Sequence, residues 1–180
     1  MSDHSQLVLV TGSAGRLGRA AVKALNAAGW RVRGFDRAPT PGTKDFLVGD
    51  LTDFAALQKA AADAAAVIHL AATPDDDDFH TQLLPNNIVG LYNIMEAARL
   101  AGVKRMVLAS SGQVTWWKHM DGQLPLRLDE PVTPRHWYAV TKVALEAAGR
   151  VYARNYGIEV IAVRLGWCPR TREQVEEIRA

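Results

Sequence analysis

Leu7-Val8-Leu9-Val10-Thr11-Gly12-Ser13-Ala14-Gly15-Arg16-Leu17-Gly18 decides how this chain folds. A short apolar run with β-branched residues ends directly in a glycine-spaced turn. Leu17, Ala20, Ala21, Ala24, Leu25 and Ala28 then recur at helical spacing until Gly29 stops them. A strand that turns through glycines into a helix is the opening unit of a dinucleotide-binding α/β sheet. Gly12 supplies the turn, Gly15 lets backbone approach a pyrophosphate, and Gly18 permits close packing of the helix on the sheet. The amides exposed at the helix start favour an anion.

The same rhythm continues outward. Strands are predicted at Arg31 to Phe35, Phe46 to Val48, Val67 to Leu70, Met106 to Ala109 and Glu159 to Leu165. Helices are predicted at Asp53 to Asp63, behind an acidic cap, at Leu84 to Ala101, with Pro85 in the first turn, and at Trp137 to Tyr156. Alternation of this kind predicts a Rossmann-type doubly wound parallel α/β sheet of about six strands with helices on both faces. The connection Gly112 to His136 breaks the pattern with Trp116, Trp117, Pro125, Pro131 and Pro134, and long loops of this kind are usually functional. Its tryptophans, with Trp137, either wall a substrate pocket or pack the loop itself.

At 180 residues, 48% apolar and 22% charged, the chain suits one domain with a sizeable core. A formal charge of +2 with scattered basic residues is not the footprint of a nucleic-acid binder. The lone Cys168 excludes an internal disulfide and agrees with a reducing, cytoplasmic location. The polar start Met1 to Gln6 and the short run behind it are too short for a signal or membrane segment. The acidic run Asp75 to Asp78 is read as a solvated loop, so no metal is expected.

Asp36 ends the second strand eighteen residues after Gly18. A carboxylate there accepts from both adenosine ribose hydroxyls and repels a 2′-phosphate, which favours NAD over NADP. Arg16 and Arg37 offset part of that repulsion. Gly49, Asp50 and Leu51 follow the third strand, where adenine would lie; Asp50 either accepts from the adenine amine or simply turns the chain. His69, in an apolar strand, is read as a satisfied structural residue. Ala71 and Ala72 behind it are small enough for a nucleotide to pass close by.

Tyr138 and Lys142 lie four apart on one helical face, which holds a phenol beside an ammonium. A free tyrosine of pKa near 10 is about 4 kcal/mol from ionising at neutral pH. A neighbouring Lys142 and a nicotinamide cation would remove much of that gap and make general base catalysis feasible. Ser110 and Ser111 close the preceding apolar run.

Taken together, Thr-Gly-Ser-Ala-Gly-Arg-Leu-Gly (11–18), Gly-Asp-Leu (49–51), His-Leu-Ala-Ala (69–72), Asn87 with its following Gly-Leu-Tyr-Asn, Ala-Ser-Ser (109–111) and Tyr-Ala-Val-Thr-Lys (138–142) resemble the extended short-chain dehydrogenase/reductase family, the NAD-dependent epimerase/dehydratases. Val-Arg-Leu-Gly-Trp-Cys-Pro (163–169) resembles the segment after the sixth strand in the hexuronate dehydrogenase-like branch. The resemblance implies an oxidoreductase in which Tyr138 is the acid/base. Lys142 would hold the nicotinamide ribose and lower the tyrosine pKa, and Ser111 would bond the reacting oxygen. It implies cofactor contacts from Gly12, Ala14, Gly15, Arg16, Leu17, Gly18, Asp36, Arg37, Asp50, Leu51, Leu70, Ala71, Ala72, Asn87, Tyr138 and Lys142. Ser111, Gly112 and Gln113 would face the substrate, a sugar or sugar acid.

In the uronate-oxidising branch an Asn-His pair is expected where this chain has Gly112 and Gln113, which leaves the sugar open. A nucleotide-sugar epimerase or dehydratase is the near alternative. Residues 1–168 are expected to form the NAD-binding domain, and 169–180 a charged helical tail that begins a C-terminal substrate region carried by longer relatives. A pocket lacking that region would be open to water, so a cofactor-binding module without turnover is the second class of function. A homodimer is expected through the helices containing Ile94 and Met95 and Val151 and Tyr152.

Overall fold

The computed structural model describes residues 6–129, 131–169 and 171–179. Residues 1–5 of the polar N-terminus, together with Arg170 and Ala180 of the expected tail, lie outside them. In chain order come β1 (Leu7–Thr11), α1 (Arg16–Ala27), β2 (Arg31–Asp36), β3 (Phe46–Val48), α2 (Phe54–Ala61) and β4 (Ala64–His69). A π-helical stretch, Phe79–Val89, then runs into α3 (Gly90–Leu100), followed by β5 (Arg105–Ser111), a 3-10 turn (Gly112–Thr115) and α4 (Trp116–Met120). The last elements are α5 (Trp137–Tyr156), β6 (Glu159–Leu165) and α6 (Arg172–Arg179).

The strands form one parallel sheet in the order β3-β2-β1-β4-β5-β6. Connections run outward in opposite directions from β1 and from β4, so a crevice opens beyond the carboxyl ends of these neighbours. All five residues of β1 are buried because both its faces are covered. On one face, Leu9, Phe35, Val67, Met106 and Leu108 pack with Leu57 of α2 and Ile94 and Met95 of α3. On the other, Val8, Val10 and Val32 pack with Val22 of α1.

Boundaries moved where side chains conceal backbone pairing. β4 begins at Ala64, earlier than the expected Val67, because the run of alanines before it pairs with β1, Ala64 opposite Leu7. Asp63, at φ 62°, makes the reversal before it. β5 continues through Ser110 and Ser111, which pair with Arg164 and Leu165. The helix expected from Leu84 starts at Phe79, where the Asp78 carboxylate accepts from the Thr81 amide at 2.8 Å. Pro85 therefore lies inside the helical stretch and not in its first turn. The widened turns accommodate it, with the Gly90 amide reaching back to the Pro85 carbonyl. Gly157, at φ 68°, ends α5 in the left-handed conformation that glycine adopts without penalty.

Ile94 and Met95 are fully buried in the chain's own core, and Tyr152 is buried with its hydroxyl donating to Glu96. They cannot form the outward face assigned to them from sequence. The sheet takes that side of α3, and Tyr92 and Leu100 are the exposed apolar residues of the helix.

Candidate functional site

The glycine turn closes by backbone contact. Gly12, at φ 69°, donates its amide to the Phe35 carbonyl at 2.9 Å, and a Cβ placed on it would stand 2.6 Å from the Ala71 nitrogen. A Cβ on Gly18 would stand 2.0 Å from the Gly12 carbonyl oxygen. The first turn of α1 carries no acidic side chain, so its unpaired amides face the crevice uncompensated.

Beyond them lies a cleft of about 560 Å³. Gly12, Gly15, Arg16, Leu17 and Gly18 form one wall. Asp36, Arg37 and Leu51 contribute from the β2 and β3 ends, and Leu70, Ala71 and Ala72 from the end of β4. Asp36 accepts from the Ala14 amide at 3.0 Å, tying β2 to the glycine turn. Arg37 stands 3.6 Å from the Asp50 carboxylate, and Arg16 donates to the Pro169 carbonyl at 3.2 Å.

Other residues named from sequence lie away from the cleft surface. Asp50 accepts from the amide and hydroxyl of Thr52, an Asx-type turn that holds its carboxyl below the usual range. Asn87 accepts from the Thr73 amide at 2.8 Å and donates to the Thr73 carbonyl and the Thr141 hydroxyl. Its neighbour Asn86 reaches the cleft instead. Phe35, Pro74 and Asn86 also line the cleft and were not read from the sequence as cofactor contacts. The π-helical turns displace the face that a regular helical period assigns, so Asn86 carried no signal that separates it from Asn87.

Two strands from β1, α5 lies over the carboxyl end of β5. Tyr138 and Lys142 are buried, and the lysine Nζ is 5.5 Å from the phenol ring centre. The ammonium donates to the Ala109 carbonyl at 2.9 Å, and burial pushes its pKa down to about 8. The Tyr138 phenol sits above its ordinary value because burial outweighs its hydrogen bond with Ser111, and Asp75 and Cys168 push the same way. The phenol is thus raised and not lowered as expected, with the Lys142 ammonium bonded to the Ala109 carbonyl and not to the phenol oxygen. Ser111 Oγ accepts from the Gln113 amide at 3.2 Å. Gln113 Oε1 is buried with no hydrogen-bond partner among the described residues.

The acidic loop has a structural task. Asp76 accepts from the Tyr138 amide at 3.1 Å and lies 3.5 Å from His136 Nδ1, so it caps the start of α5. Among the described residues no group of His, Cys, Asp or Glu is arranged to hold a metal, and no helix is long and apolar enough to cross a membrane. His69 is buried, its Nδ1 2.7 Å from the Thr11 hydroxyl, and burial with the Lys142 charge lowers its pKa to about 3. The tryptophans sit along the loop and its edges, with Trp117 and Trp137 more than half exposed. Trp116 lies under the Arg135 guanidinium at 4.5 Å, and Trp137 contacts Phe79 at 5.0 Å between ring centres.

The profile of the NAD dependent epimerase/dehydratase family matches residues 8–167. An L-arabinose 1-dehydrogenase (NAD(P)(+)) of Haloferax volcanii is 34% identical, over 94% of this chain and 71% of its own length. A uronate dehydrogenase of Agrobacterium fabrum is also 34% identical, over 89% of this chain and 61% of its own. A short-chain dehydrogenase/reductase superfamily protein from Agrobacterium tumefaciens, crystallised with bound NAD, superposes with a TM-score of 0.81 at 38% identity. That match covers 88% of this chain and 48% of the other, so the chain spans about half the length of the solved structure.

Proposed function

The chain belongs to the NAD dependent epimerase/dehydratase family, and from that premise we propose that it serves an NAD-dependent oxidoreductase acting on a hydroxyl carbon of a sugar or sugar acid. The observation that carries this reading is that Tyr138 and Lys142 of α5 lie buried side by side over the carboxyl end of β5, in the same parallel sheet whose β1 ends in the glycine cradle. The residues fit a dinucleotide. The cradle is closed by backbone, the helix start is free of carboxylates, Asp36 stands at the ribose end, and the cleft volume is within the ordinary range of about 300–1,000 Å³. NAD is favoured over NADP because a 2′-phosphate beside Asp36 meets a carboxylate.

The cofactor, when bound, supplies the hydride acceptor. This chain supplies the rest. In the oxidative direction the Tyr138 phenolate takes the proton from the substrate hydroxyl, and the Ser111 hydroxyl donates to the same oxygen as it becomes a carbonyl. In reduction the neutral phenol, favoured by its buried setting, returns the proton. Lys142, close to its own pKa at about 8, offers an ammonium that binds ribose hydroxyls as readily as the Ala109 carbonyl. Oxidation is therefore expected to accelerate with rising pH as Tyr138 ionises.

Purified chain mixed with NAD and a panel of neutral aldoses, hexuronates and nucleotide sugars should form NADH with at least one. Tyr138→Phe should then reduce turnover about a thousandfold while leaving NAD affinity within about twofold. NAD binding without reduction by any sugar would support the second reading, a binding module; no binding would sink both. A homodimer, cytoplasmic like the lone-cysteine composition suggests, would use the exposed Tyr92 and Leu100 of α3 with Val140 and Val151 of α5. Sedimentation showing only monomer at micromolar concentration would remove it.

A further inference from the structure

Tyr138, Lys142 and Glu146 are spaced four apart on α5 and so form one stripe of one helix. Each acts on one of the last three residues of β5: Lys142 bonds the Ala109 carbonyl, Glu146 accepts from the Ser110 hydroxyl at 2.6 Å, and the Tyr138 phenol is held down by Ser111. The first two belong to the chemistry proposed above. Glu146 does not.

Glu146 is buried, and Arg164 of β6 grips its carboxylate with Nε at 2.8 Å and Nη2 at 2.9 Å. Arg164 stands opposite Ser110 in the β5 and β6 pairing, so three elements converge on one carboxylate. Burial alone would raise the Glu146 pKa, but the bonds from Arg164 and Ser110 outweigh it and keep the group ionised. A buried ion pair is a poor source of net stability, since desolvation offsets much of the attraction. What a two-pronged guanidinium contact does provide is a fixed orientation.

That orientation separates two chemically identical neighbours. The Ser110 hydroxyl is turned to α5 and taken by Glu146, so of the two serines only Ser111 is left to act on the Tyr138 phenol. We propose that Ser110, Glu146 and Arg164 form a brace that sets the register of α5 on the end of β5, making Glu146 and Arg164 positioning residues for the Tyr138 and Ser111 pair. The catalytic meaning of the brace rests on the acid/base role proposed for Tyr138, but the brace itself is measurable without any substrate.

The test is an ultraviolet titration of Tyr138, taken as the difference between a protein and its Tyr138→Phe counterpart, in wild type, Ser110→Ala and Glu146→Gln. The Ser111 bond is what holds the phenol down, so loosening it should raise the phenol's titration midpoint, by about half a unit in Ser110→Ala and about one unit in Glu146→Gln. Should Glu146→Gln fail to fold with Arg164 left unpaired, Ser110→Ala, which keeps the ion pair, decides alone. With a sugar that supports turnover, kcat should fall about tenfold and the KM for NAD should rise by clearly less, because Lys142 is the one cofactor contact proposed above that α5 moves apart from Tyr138 while the cradle lies on other elements. A phenol that titrates identically in the folded variants overturns the brace, even if wild type oxidises sugars. A shifted phenol in a protein that never reduces NAD upholds the brace and sinks the catalytic reading instead.

Discussion

The glycine-turn end of the molecule and the tyrosine end are built from different materials. Around β1 and α1 the geometry is set by backbone: Gly18 is pressed against main-chain atoms five and six residues before it, and Gly12 against those at the end of the adjoining strand β4. Around β5, β6 and α5 it is set by side chains that reach across 33 to 36 positions of sequence, as Lys142 does to Ala109 and Glu146 to Ser110. Burial follows the same division. β1 is enclosed on both faces, whereas Ile161 and Val163 of β6 are 52% and 38% exposed, on the face that α1 covers only near β1 and β2. Backbone tolerates no repacking, but side-chain contacts yield by rotamer changes, so the two ends should respond unequally to the same insult.

An added methyl group puts that contrast to its strongest test. Gly18→Ala drives a Cβ into the Gly12 carbonyl and should cost more than about 3 kcal/mol, while Gly149→Ala meets the movable side chains of Val160 and Leu108 at 3.0 and 3.3 Å and should cost about 1 kcal/mol. Urea denaturation measures both, and equal losses would break the comparison. Next in size is the acid sensitivity of the β1 and β4 junction. His69 titrates at about 3 when folded and at 6.5 when free, so between those values only the unfolded chain takes up the proton. Stability is therefore complete above pH 6.5 and falls as pH drops toward 3, by about 1.4 kcal/mol per unit at most. His69→Gln should flatten that slope in unfolding curves at pH 7, 5 and 4.

Asp36→Ala should weaken NAD binding about tenfold in calorimetric titration and narrow the gap to NADP, with a loss of about 1 kcal/mol of stability from the orphaned Ala14 amide. A variant that binds both cofactors as wild type does would detach Asp36 from the ribose. The smallest effect is expected at the Arg105 and Glu159 ion pair joining β5 to β6. Both side chains are mostly exposed, so Arg105→Ala should change stability by less than about 0.5 kcal/mol. A larger loss would mean that the side-chain end depends on its rim as well as on its buried contacts.

The fold was legible because its signals are local. The strand, glycine turn and helix at residues 7–28 predict a parallel dinucleotide sheet, and the structure has all six strands in the doubly wound order. Errors fell where a local signal is ambiguous. Ala64 to Ala66, assigned to neither the helix ending at Asp63 nor the strand beginning at Val67, belong to the strand paired with β1, and the π-helical stretch put Asn86 at the cleft while committing Asn87 to Thr73. Ile94 and Met95 were read as an outward face because period alone does not say which side of α3 meets the sheet.

Sequence by itself determined the order of elements, the positions of the glycine turn and Asp36, and the helical spacing that aligns Tyr138 with Lys142. Each follows from steric limits or periodicity acting within a few residues. Only the tertiary structure decided that Lys142 points at the Ala109 carbonyl and that Glu146, gripped by Arg164, closes on Ser110. These depend on how α5 settles between β5 and β6, and burial, which raises the phenol and lowers the lysine, acts only once those elements have met.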